Sequence, residues 1–335
     1  MRGPMSTLCS QCCPVALVAM LGVACTPDFE KVWKVQDLRV LALQAEPTEV
    51  LIPEEQLLLL AGNAPPIRLQ ALAVDPRSPG AEYEWEAWAC SGEEEICDEA
   101  AVRRRVHPDG DGSAGRAWAR NTLDQIGFDF VIDREIDFVA APEQSLLLAA
   151  QQADPFKGFG GVPVAIEIWI RDVNGGPDVG AIKRISYGLI DSDGEGAPTG
   201  VPAGKQPNDN PMLTVTVNGK PVPDPWVVTP EEQEVIGPRP TDGARQRYIV
   251  GTFDGGTEQL EEYLSFSFFV TSGELSHSQT GGKPSPFVED KKIADPTSDW
   301  TAPAVPGPGT LWLVIRDDRG GVSWQRHDYQ VSSSP

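Results

Sequence analysis

Two acidic stretches hold the residues best suited to bind a cation. "DGDG" at 109–112 and "DSDGEG" at 191–196 set alternate carboxylates beside glycines, as oxygen-ligand loops do. Asp109, Asp111, Asp191, Asp193 and Glu195 are therefore candidate calcium ligands. The second stretch begins like an EF-hand loop, but Pro202 stands at the twelfth position, where a bidentate glutamate is needed. The competing reading is a solvated acidic linker. Two tryptophans are candidate platforms for stacking a sugar: Trp88, on a glutamate-bearing face, and Trp226, in "PDPW".

Other chemistry is poorly supplied. The three histidines, His107, His277 and His327, are scattered, and no HExxH occurs. No G-x-S-x-G elbow, P-loop or dinucleotide fingerprint is present. Carboxylate pairs are frequent simply because the chain is acidic, so they do not point to a glycosidase. The sequence indicates a protein that is not an enzyme. A net charge of −22 disfavours nucleic acid and unaided contact with anionic lipid.

Six cysteines divide by position. Cys9, Cys12 and Cys13 lie in an N-terminal stretch with one basic residue, Arg2, and an apolar run from Pro14 to Ala24. That run is shorter than the roughly 18–20 residues that span a bilayer. A basic start, a short apolar core and small residues before a cleavage point make a signal peptide, residues 1–24. With Cys25, the first residue after that cut, set aside for the role given below, Cys90 and Cys97 remain as an even pair in an oxidising compartment, and a disulfide across "CSGEEEIC" is expected. Two cysteines supply only half of a zinc shell.

These residues must be positioned by strands. "EYEWEAWA" puts Tyr83, Trp85, Ala87 and Ala89 on one face, and "LSFSFFV" does the same with Leu264, Phe266, Phe268 and Val270. Such period-two alternation, punctuated by 33 Gly and 31 Pro, predicts an all-β sandwich. One exception, "APEQSLLLAAQQADP", aligns Leu146, Leu147 and Ala150 on a helical face and stops at Pro155. A buried strand at "SLLLAA" is the alternative.

The chain repeats itself. "IRDVNGG" at 170–176 returns as "IRDDRGG" at 315–321. The spacing that aligns these loops also aligns Ile166, Ile168 and Ile170 with Leu311, Leu313 and Ile315, so the core phase is kept. Each loop joins two strands as a hairpin, and Asp172 and Asp317 are expected to bond to turn amides. "IPEEQ" at 52–56 pairs with "TPEEQ" at 229–233, at a wider spacing, so the first copy carries an insertion within 91–160. Two duplicated domains are predicted, 36–190 and 212–335, joined by a Gly/Pro/Asp-rich linker at 191–211. Residues 25–35 would form a tether, with Trp33 packing on the first domain.

Two resemblances follow. "LGVAC" at 21–25 resembles the lipobox of bacterial lipoproteins, although that family usually places Leu where Gly22 stands. It implies acylation of Cys25, and Thr26 after it, rather than Asp, implies the outer membrane. The openings "LRVLALQAEPTEV" and "IRLQALAVDP", the Tyr-x-Trp strand and the closing "RD-x-x-GG" hairpin resemble immunoglobulin-like and PKD-like modules of bacterial surface proteins. The whole chain is similar to two-domain lipoproteins of Gram-negative bacteria. That resemblance implies two tandem immunoglobulin-like sandwiches, held to the membrane by lipid, that bind or scaffold an envelope partner or a glycan, with calcium as the one cofactor to test. Cys90 and Cys97 are too close in sequence to form the inter-sheet disulfide of antibody domains.

Overall fold

The computed structural model describes residues 31–53, 65, 67–76, 82–91, 97, 103–107, 119–122, 132–140, 144–156, 158–190, 200–202, 204–284 and 295–333. Val32–Pro335 form one compact unit. Among the described residues the fold is all-β with one short helix.

The first half holds β1 (Arg39–Glu46), β2 (Glu49–Pro53), β3 (Ile67–Asp75), β4 (Glu82–Ser91), β5 (Arg103–His107), β6 (Ala119–Thr122) and β7 (Ile132–Ala140). The helix α1 (Gln144–Ala153), β8 (Val162–Asp172) and β9 (Val179–Ile190) complete it. β1-β3-β7 form one sheet; β2-β9-β8-β4-β5, with β6 also on β4, form the other. The alternating residues meet between them: Tyr83, Trp85, Ala87 and Ala89 of β4 pack with Val164, Ile166, Ile168 and Ile170 of β8. The expected helix buries Leu146, Leu147 and Ala150 into this core. It ends at Ala153, where the side chain of Asp154 accepts the amides of Phe156 and Gly158.

The second half holds β10 (Leu213–Val217), β11 (Lys220–Pro221), β12 (Trp226–Val228), β13 (Gln233–Pro240), β14 (Arg247–Gly251) and β15 (Thr257–Glu261). It continues with β16 (Leu264–Val270), β17 (Glu274–Leu275), β18 (Gln279–Gly281), β19 (Ser298–Thr301), β20 (Gly307–Asp317) and β21 (Val322–Val331). Sheet β11-β10-β13-β19-β17 faces sheet β12-β21-β20-β16-β18, and β14-β15 stand apart as a hairpin. The plan of the first half recurs. β2 runs parallel to β9 as β12 runs parallel to β21, and β8-β9 and β20-β21 are the two hairpins that carry the repeated loop. The order β1-β3-β7 against β9-β8-β4, echoed by β10-β13-β19 against β21-β20-β16, is an immunoglobulin-type Greek key.

The two halves also share a core. Leu41, Ala42, Leu72 and Val74, from the outer face of β1 and β3, pack on Trp312, Val314 and Val322 from the outer face of β20 and β21. β20 is therefore covered on both faces, and Leu311 to Ile315 are all fully buried. An uninterrupted apolar run, rather than alternation, is what such a strand requires.

Two expectations about the connecting segments are corrected. Trp33 packs on the second core, not the first. Its carbonyl accepts the amide of Val270 at 3.0 Å, and Val35 donates back to Val270 at 2.9 Å. Residues 33–35 thus lie along β16 because that strand's end still had unpaired backbone groups to satisfy. The later part of the expected linker is a packed strap, not a spacer. Val201 and Asn208 are buried, and the Asn210 amide donates to the Ala45 carbonyl at 2.8 Å while its oxygen accepts the Val322 amide at 2.9 Å.

Candidate functional site: an ionic clasp between the halves

The second copy of the repeated loop lies at the seam. Asp317 Oδ1 accepts the amides of Gly321 at 2.7 Å and Arg319 at 2.9 Å, the turn-amide bonding expected of this residue. The same carboxylate receives the Asn208 side chain from the strap, at 3.2 Å. In the first copy Asp172 accepts the Asn174 amide at 2.8 Å in an exposed turn. One sequence motif therefore serves as a plain turn in one copy and as a fastening in the other.

Arg319 reaches across this seam. Its guanidinium bonds Glu49 of β2 at 2.6 Å and Glu262 at 3.1 Å, and it lies 4.5 Å over the Tyr248 ring. Lys205 of the strap bonds the other oxygen of Glu49. All four charged side chains are nearly or fully buried. Burial pushes the Glu262 carboxyl up from its ordinary value, with the Gln246 amide and Arg319 opposing. Lys183 of β9 donates to the Gly320 carbonyl. Burial pushes its amine down to about 8, Asp317 opposes that shift, and Arg316 adds to it. Arg316 donates to the Leu41 carbonyl at 2.8 Å and to Ser267 at 3.0 Å. A cleft of about 350 Å³ beside Lys183 and Arg316 separates the two halves. Buried charges so paired are costly to separate, because parting them leaves a charge uncompensated.

A second concavity, about 500 Å³, lies between Val222–Trp226, Pro308–Thr310 and Arg326–Gln330. Part of its polar lining is engaged: Asp328 accepts Thr310 at 2.7 Å and Arg326 at 3.0 Å. Burial lowers the His327 imidazole, with Asp328 opposing.

The sequence-predicted residues fall out as follows. Cys90 and Cys97 form a disulfide, with Cα atoms 5.5 Å apart. Cys25, Asp109, Asp111, Asp191, Asp193 and Glu195 lie outside the described residues. Among the described residues no three His, Cys, Asp or Glu side chains gather as a metal site. Neither tryptophan is a platform. Trp88 is only 7% exposed, because the disulfide carries Cys97 over its sheet face to pack with Cys90, Ala165, Trp169 and Ile182. The Cys97 amide donates to Glu167 at 3.3 Å on that covered face. Trp226 is 2% exposed, donates its indole N–H to Glu234 at 2.9 Å, and has its ring centroid 5.4 Å from that of Trp300, which is tilted, and from that of Tyr329, which meets it edge-on. The clasp residues were missed because Glu49, Lys205, Glu262 and Arg319 are far apart in an acidic chain. The one signal pointing to them was the repeated loop itself.

No family model matches the chain, and no curated protein matches it. Among solved structures, the fibronectin(III)-like modules of Clostridium thermocellum CbhA match 87% of this chain and 95% of theirs. Identity is 8% and the TM-score 0.21. Dimeric latent PorU from Porphyromonas gingivalis matches 90% of this chain but 24% of its own, at 8% identity and a TM-score of 0.19. The all-β assignment stands on the strands and sheets themselves, and function must be argued from the residues.

Proposed function

We propose that this chain is a lipid-anchored envelope protein that presents two immunoglobulin-like sandwiches as one rigid body for binding or scaffolding, without catalysis of its own. The anchor is Cys25, in the outer membrane, and the partner is reached by loops of the first sandwich. The observation that carries this reading is the buried clasp at Arg319. Repeated turns, a strap and shared apolar packing are spent on fixing one domain against the other, whereas the chemistry-bearing candidates Trp88 and Trp226 are spent on cores. A rigid pair holds its loops at a set distance and angle from one another, which is what a scaffold requires. Among the described residues no helix is long and apolar enough to cross a membrane; in this reading the lipid does the holding. Two or three acyl chains anchor stably, at about 0.8 kcal/mol per buried methylene.

The test is metabolic labelling with a palmitate analogue in cells making the full chain or its Cys25→Ser variant, followed by membrane fractionation. Label on the wild type alone, with the variant released from membranes, supports the reading. An unlabelled wild-type chain removes it.

A further inference from the structure

Three phenylalanines from two remote parts of the chain meet at the surface. Phe253, at the tip of the β14-β15 hairpin, stacks on Phe159 at 4.6 Å and tilts against Phe156 at 5.8 Å. Yet Phe253 is 78% exposed and Phe156 62% exposed. Rings that found each other but not a core are costly to leave in water. The cluster is also held in place. Gly251 donates to the Gly200 carbonyl at 3.3 Å, and a Cβ on Gly251 would stand 2.7 Å from that oxygen, so the backbones of hairpin and strap meet directly there. A β-carbon on Gly200 would strike the Phe159 ring at 2.8 Å.

The occupant is selected by the charges beside the cluster. The hairpin that carries it exposes Asp254, Glu258 and Glu261 against Arg247. A second copy, from a chain of net charge −22, would bring the same carboxylates to the contact.

We infer that the Phe156–Phe159–Phe253 cluster is the docking surface for a protein partner that offers an apolar pocket edged by lysine or arginine. Aromatic anchors inside a charged rim are the usual centre of binding energy in such contacts.

The experiment places a photoreactive phenylalanine analogue at 253 in the full chain in cells, with a control at the exposed Met212. An adduct from 253 and not from 212 is expected, with a partner peptide rich in lysine or arginine. Binding of that purified partner should weaken about tenfold or more in Phe156→Ser/Phe253→Ser, with the melting temperature unchanged because both rings are exposed. Salt should weaken the wild-type complex. An adduct to lipid, an adduct with the mass of a second copy, equal adducts from both positions, no adduct from 253, or an unaffected affinity in the double variant each overturns the inference. Acylation of Cys25 is read separately, so failure of the anchor and failure of the docking surface are distinguishable.

Discussion

Replacing Lys183 with Met should abolish a rise of stability with pH and leave the protein no less stable at pH 7. The folded amine is pushed down to about 8 from an ordinary 10.5. The unfolded chain therefore holds this proton over a range where the folded protein has lost it, and stability rises with pH between those values. Below pH 8 both states are charged, and the burial cost is fully present, about 3 kcal/mol at ~1.4 kcal/mol per pKa unit. Between pH 7 and about pH 9.5 this one group should raise wild-type stability by ~2 kcal/mol. Met keeps the aliphatic stem and removes the amine. Asp317 loses an ammonium neighbour but keeps the Gly321 and Arg319 amides and Asn208. Urea unfolding followed by tryptophan fluorescence, for both proteins at both pH values, isolates the effect as a double difference. The variant should be as stable as wild type or more so at pH 7, and should lack the rise. A variant with the same pH slope, or one that loses more than about 2 kcal/mol at pH 7, would refute the claim that burial dominates at Lys183.

Three further outcomes follow from the seam and the disulfide. Glu49→Gln strips a shared carboxylate from Arg319 and Lys205, which stay buried, and should cost about 3–5 kcal/mol in denaturant unfolding. Trp312→Ala removes the largest fully buried ring in the seam. It should cost roughly 3–5 kcal/mol and split a single calorimetric transition into two, one for each sandwich. Cys90→Ser/Cys97→Ser opens a short loop and should cost about 2.5 kcal/mol on loop entropy alone; thiol titration of the unfolded wild type, before and after reduction, checks that the bond is present.

The sandwiches were legible in the sequence because alternation reports burial directly. Tyr83, Trp85, Ala87 and Ala89 face one way in a strand whatever else the protein does, and they do so here. The hairpins were legible for a related reason: the repeated loop kept the core phase of the strands on either side, and β8-β9 and β20-β21 carry it in equivalent places. The helix followed from the spacing of Leu146, Leu147 and Ala150. All of these are local patterns, settled within about ten residues.

What alternation cannot say is what covers the opposite face. Trp88 lies on the side that its neighbouring glutamates mark as solvent, yet the chain returns through Cys97 to close over it. Trp33 and the strap at 200–211 are polar, Pro-rich or terminal stretches, and nothing local distinguishes a tether from a segment lying in a groove. The clasp joins Glu49 to Arg319, and the seam joins Leu72 to Trp312. Such pairings depend on where two finished sheets come to rest. The tertiary structure alone decided that the halves are joined, because the energy of that contact belongs to surfaces that exist only after each sandwich has formed.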